Sequence, residues 1–175
     1  MRNKKNIIIG ILIAVIVLMS VGYAALAQVL IINGTAHINA DWDVEITNIA
    51  EGTLIGATTA TNPALGYTST SATFGVDLAY PGASATYVVT IENKGNISAK
   101  LDSITGITAA NASNPTEVEF AISGVAENDV LAPGATTTAT ITVTWVESQN
   151  ETDTIPSTTT KTATINLNYI QNTQN

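Results

Sequence analysis

Cysteine is missing from all 175 residues. That excludes disulfides, thiolate nucleophiles, Cys-ligated zinc and iron–sulfur clusters. Charge is scarce too: Asp, Glu, Lys and Arg make up 11%, against about a quarter in an ordinary globular chain. Aromatic residues reach only 5%, and there is one histidine, His37. No Gly-x-Ser-x-Gly and no His-Glu-x-x-His pattern occurs. A hydrolase needs a base and a nucleophile held together, and a histidine-ligated zinc site needs more than one such ligand. The expectation is a protein without a catalytic site and without a cofactor.

Positive charge is short where it would matter for nucleic acid. Three of the six basic residues, Arg2, Lys4 and Lys5, lie within the first five positions. The remainder carries three lysines against 14 acids, a balance of −11. A body this acidic repels phosphate backbones, so nucleic-acid partners are not expected.

What is present is apolar and hydroxyl-rich. Hydrophobic residues account for 45%, and Thr, Ser, Asn and Gly supply most of the polarity. That composition suits strands and short turns rather than a helical bundle. The N-terminus is different. Arg2, Lys4 and Lys5 precede an apolar run from Ile7 to Val21, broken only by Gly10 and Ser20. The small residues Ala24, Ala25 and Ala27 follow, in a layout of basic region, apolar region and cleavage region. Residues 1–27 therefore read as a secretory signal peptide, with an uncleaved membrane anchor as the alternative. Export signal peptidase is the implied processing partner.

From residue 28 the chain reads as one all-β domain. Thr35 to Thr47 alternates, with Ala36, Ile38, Ala40, Trp42, Val44 and Ile46 assigned inward. Similar alternation runs through Ala72–Leu78, Ala85–Ile91, Val118–Ile122, Ala139–Trp145 and Ala163–Tyr169. Turn signals separate these runs, among them Pro81-Gly82, Asn93-Lys94-Gly95-Asn96 and Pro133-Gly134. No stretch of the body shows a helical period of useful length. Seven or eight antiparallel strands, each with one apolar face, pair economically as a β-sandwich of jelly-roll or immunoglobulin-like type.

Two local features suggest sites. Asp41, Asp43 and Glu45 share one predicted strand face, spaced by about 7 Å. That is too wide for all three to hold one ion, but calcium bridging two of them is a candidate, set against a solvated charged edge. Gln28, Val29, Leu30, Ile31 and Ile32 form a continuous β-forming segment at the new N-terminus, followed by Asn33-Gly34. Apolarity on both faces suits a strand that is covered on both sides. It is either the first strand of its own domain or, over residues 28–33, a strand donated to a neighbour's sheet. Four sequons, at Asn33, Asn96, Asn111 and Asn150, are glycan acceptors if the host has the machinery.

Gly22-Tyr23-Ala24-Ala25 after the apolar region, followed by Ile32-Asn33-Gly34-Thr35-Ala36, resembles the exported TasA/camelysin group. The segment from Pro81-Gly82 through Ile91-Glu92-Asn93-Lys94-Gly95 to Ala99-Lys100-Leu101 resembles that group as well. The two matches, Gly22–Ala36 and Pro81–Leu101, cover about a fifth of the chain. The resemblance implies a signal peptide handled by a SipW-type peptidase and a jelly-roll-like sandwich. It also implies assembly into biofilm matrix fibres, in which the N-terminal segment of one subunit completes the sheet of the next. Some members of the group are classed as metallopeptidases, a label that these residues do not support.

The functional expectation is a secreted or surface-held structural subunit of an extracellular filament or matrix fibre. Its main partner is then a further copy of itself, with other matrix or surface proteins in addition. The alternative is a monomeric surface adhesin or ligand-binding domain, and the third reading is a secreted metallopeptidase.

Overall fold

A computed structural model describes residues 2–26, 32–146 and 160–172. The chain divides into two units, Met1–Ile38 and Asn39–Asn175.

The first unit is dominated by helix α1, Arg2–Leu26. Within it, Asn3–Ser20 is long and apolar enough to cross a membrane. Ile7, Ile8, Ile9, Ile11, Leu12 and Ile13 are all exposed, so no face of this stretch is packed. A helix that is apolar all round and unburied calls for a lipid environment or for removal. The cleavage-region residues Ala24 and Ala25 fall within α1, while Ala27 and the expected assembly residues Gln28, Val29, Leu30 and Ile31 lie outside the described residues.

The second unit is all-β with one short helix. In chain order its elements are β1 (Val44–Ile55), β2 (Ala57–Thr59), β3 (Gly66–Tyr67), β4 (Ala72–Thr73), β5 (Val76–Leu78) and β6 (Ser84–Asn93). There follow β7 (Ala99–Thr105), α2 (Ile107–Ala112), β8 (Val118–Ser123), β9 (Val130–Leu131), β10 (Thr136–Trp145) and β11 (Asn166–Gln171). The strands make a four-stranded sheet in the order β1-β6-β10-β8 and a three-stranded sheet in the order β11-β7-β9. Two small pairs, β2-β5 and β3-β4, complete the set, and every pairing is antiparallel.

The core follows the alternation in the sequence. Along β6, Ala85, Tyr87, Val89 and Ile91 are buried, and along β10 Ala139, Ile141 and Val143 are buried. The partner register sets these rows side by side, as in Ala139↔Val89 and Val143↔Ala85. Ala99 of β7 and Leu131 of β9 join the same apolar cluster as Tyr87 and Val89, so residues of both larger sheets share one core. Phe120, Val143 and Ala110 form a second cluster under α2.

Tyr87 is fully buried, and the Phe74 ring stacks on it with centroids 4.3 Å apart. Its hydroxyl donates to the Gly75 carbonyl at 3.0 Å and lies 3.0 Å from Thr59 Oγ1, which in turn donates to Glu51. Burial raises the Tyr87 phenol above the ordinary value of 10.0; the Thr59 hydrogen bond offsets part of this, and Glu51 and Asp77 add to it. Tyr169 is raised in the same way by burial, with Asp129 adding to it. Below pH 10 both phenols are neutral whether the chain is folded or not, and their contribution to stability is complete. Above it the unfolded phenols ionise first, so the unfolded chain binds fewer protons and stability falls as pH rises through the folded values. Denaturant midpoints measured across this range should drop on the alkaline side of the ordinary tyrosine value. Tyr87→Phe should make that drop shallower.

Four sequence expectations are corrected. The strand expected from Thr35 begins only at Val44, and Ile38 is 95% exposed. Trp42 is exposed as well, and Trp145 is half-buried, so neither is the fully buried anchor that alternation suggested. Alternation states which side chains would share a face; it does not supply a partner strand. The run over 72–78 is cut into β4 and β5 around Gly75, where an added Cβ would lie 3.0 Å from the Pro63 carbonyl oxygen. And the body does contain a helix: α2 has six residues, too few for a 3.6-residue period to be read.

Candidate functional site

The segment leaving the N-terminal unit is held by one turn. Asn93 ends β6 and is completely buried, yet its side chain is satisfied. Its Nδ2 donates to the Ile97 carbonyl at 2.8 Å and to the Leu131 carbonyl at 3.0 Å, while Oδ1 accepts from the Gly95 amide at 3.1 Å. A buried amide that meets this many partners fixes the turn Asn93-Lys94-Gly95-Asn96 against the 131–135 turn.

That rigid turn then grips residues 39–43 through their main chain. The Asn96 side chain acts as a surrogate peptide: Nδ2 donates to the Asn39 carbonyl at 2.7 Å and Oδ1 accepts from the Asp41 amide at 2.8 Å. The Asn96 amide donates to the Asp41 carbonyl at 3.0 Å, and the Lys94 and Gly95 amides both donate to the Asp43 carbonyl, at 2.8 and 3.1 Å. Gly95 is required by this closeness, since a Cβ there would lie 2.5 Å from the Asp41 carbonyl oxygen. Lys94 Nζ closes the clamp on Glu45 Oε2 at 2.6 Å. Both partners are partly solvated, so this pair orients more than it stabilises.

The clamp explains where β1 starts. Residues 39–43 spend main-chain groups on a turn rather than on a ladder. Upstream of them, residues 32–38 are exposed and belong to no strand, with Ile32 91% exposed.

The acidic trio is thus split in role. Asp41 and Asp43 bond the turn through their backbone, and Glu45 pairs with Lys94. Among the described residues no group of three or more His, Asp or Glu side chains could hold a metal ion. His37 sits in the exposed 32–38 segment, away from any such group. Of the four sequons, Asn96 and Asn111 have their amide nitrogens engaged in hydrogen bonds, Asn33 is exposed, and Asn150 lies outside the described residues. The sequence marks Asn93 and Asn96 as a turn and Asn96 as a sequon, but not the buried hydrogen bonds of Asn93 or the main-chain grip of Asn96. Comparison with protein-family models, with curated proteins and with solved structures returns no match.

Proposed function

We propose that the chain is exported through its N-terminal helix and serves as a structural subunit of an extracellular filament or matrix fibre. In this reading the two larger sheets form a sandwich of jelly-roll type, and the segment ahead of Asn39 is donated to the sheet of the next copy. One observation carries the reading. The longest apolar–polar alternation in the sequence begins at Thr35, yet β1 begins only at Val44, and among the described residues those ahead of the clamp, 32–38, belong to no strand of their own chain. A strand-forming segment that is unpaired at home and anchored at its base by the Asn93–Asn96 turn is built to pair elsewhere. The sharing of one core by both larger sheets supports the sandwich. The resemblance to the TasA/camelysin group agrees with both.

Export makes a separate prediction. Secreted material should begin between Ala25 and Gln28, as read by N-terminal sequencing. Recovery of protein still carrying Arg2 and Lys4 would instead favour a membrane anchor. Electron microscopy of the processed chain tests assembly itself: filaments are expected, and a monodisperse monomer at all concentrations would favour a surface-binding domain.

A further inference from the structure

We propose that Asn111 and Lys161 close the β8 edge of the four-stranded sheet, so that a second copy of the chain cannot extend the sheet there. β8 is the last strand in the order β1-β6-β10-β8. Main-chain groups along a strand point alternately to its two sides. The Val146 amide donates to the Glu117 carbonyl at 2.6 Å, on the β10 side. By alternation, Val118 and Phe120 therefore present their main-chain groups to the outside. An exposed row of this kind is a template for another strand.

Here the row is occupied by side chains. The Phe120 amide donates to Asn111 Oδ1 at 2.8 Å, and Asn111 Nδ2 donates to the Phe120 carbonyl at 2.9 Å. One carboxamide thus reproduces the two-bond pattern that a neighbouring strand would offer. Two residues away, Lys161 Nζ donates to the Val118 carbonyl at 2.6 Å and to the Pro115 carbonyl at 2.9 Å. The Asn111 carbonyl is within 3.5 Å of the same ammonium. The backbone around these two residues is fixed by Gly106, which precedes α2 with φ +99°. A Cβ at Gly106 would lie 1.9 Å from the Thr164 carbonyl oxygen, so α2 and the Lys161–Thr164 stretch meet with no room to spare. Edge strands are often blunted by exposed lysines. This chain has only three lysines beyond its first five residues, and it places one of them here.

The inference does not rest on the filament reading. It concerns which edge is shut, whatever the chain assembles into. The absence of cysteine provides the test. Ala121→Cys places one thiol at an exposed position in the middle of β8. The full chain carrying this reporter is held in detergent micelles and oxidised, and covalent dimer is measured. It should stay monomeric. Adding Asn111→Ala and Lys161→Met should let β8 of one copy pair with β8 of another. Dimer should then rise by about fivefold or more, the factor that one net main-chain hydrogen bond of association amounts to. Circular dichroism should show the fold retained, and Lys161→Arg, which keeps the donors, should stay monomeric. If the double change unfolds the chain, the single Lys161→Met variant is read in the same way. A folded variant without extra dimer would overturn the proposal. Loss of the fold in both variants would overturn it too, because the two side chains would then be holding the fold rather than closing an edge.

Discussion

Truncating Tyr87 to alanine should remove about 3–5 kcal/mol of stability, the range for a fully buried aromatic side chain. That is a large share of the roughly 5–15 kcal/mol that holds an ordinary domain together. The reasons are local and additive in kind. The ring is fully buried at the centre of the larger core cluster, in a chain with few other aromatics to fill the space. Phe74 would lose its stacking partner, 4.3 Å away. The Gly75 carbonyl would lose a donor. Tyr87→Phe separates these effects, since it keeps the ring and removes only the hydroxyl. It should cost about 1 kcal/mol, the usual net value of one hydrogen bond. Urea titration of both variants reads the difference as a shift in midpoint. A Tyr87→Ala chain with a midpoint near that of the parent would mean that the β6 row does not face the core.

Most of that row was legible in the sequence. The alternation over Ala85–Ile91 and Ala139–Trp145 coincides with the buried faces of β6 and β10, because each strand has a neighbour on both sides and a core beneath. The same pattern over Thr35–Trp42 misled, because periodicity is a property of the side chains, whereas a ladder also needs a partner with free main-chain groups. The candidate anchor was harder to read. Asn93, Asn96 and Asn111 act as peptide surrogates, and a carboxamide gives no periodic signal. Whether such a residue is a solvated turn or a buried clamp depends on contacts 38 to 57 positions away, as for Asn93 with Leu131 and Asn96 with Asn39. Lys161 is a similar case, bonding carbonyls 43 and 46 positions earlier in the chain.

The second large effect concerns assembly. Ile38 lies just ahead of the clamp and is 95% exposed, so Ile38→Lys should leave the melting temperature almost unchanged, as surface substitutions do, within about 0.5 kcal/mol. In a filament the same side chain would be covered by the next copy. A lysine there would carry an unpaired charge into an apolar contact, at a cost of several kcal/mol per subunit junction. Filaments should therefore shorten or vanish while the monomer stays intact. Stability and assembly come apart because the core lies within Asn39–Asn175, downstream of the altered residue.

Removing every residue of the processed chain ahead of Asn39 is the most direct test of strand donation. The processed chain and the truncated chain are compared at equal concentration by circular dichroism and by electron microscopy. The account predicts the same β-rich spectrum and cooperative melt for both, with filaments from the processed chain only. A truncated chain that still forms filaments, or one that no longer folds, would contradict it.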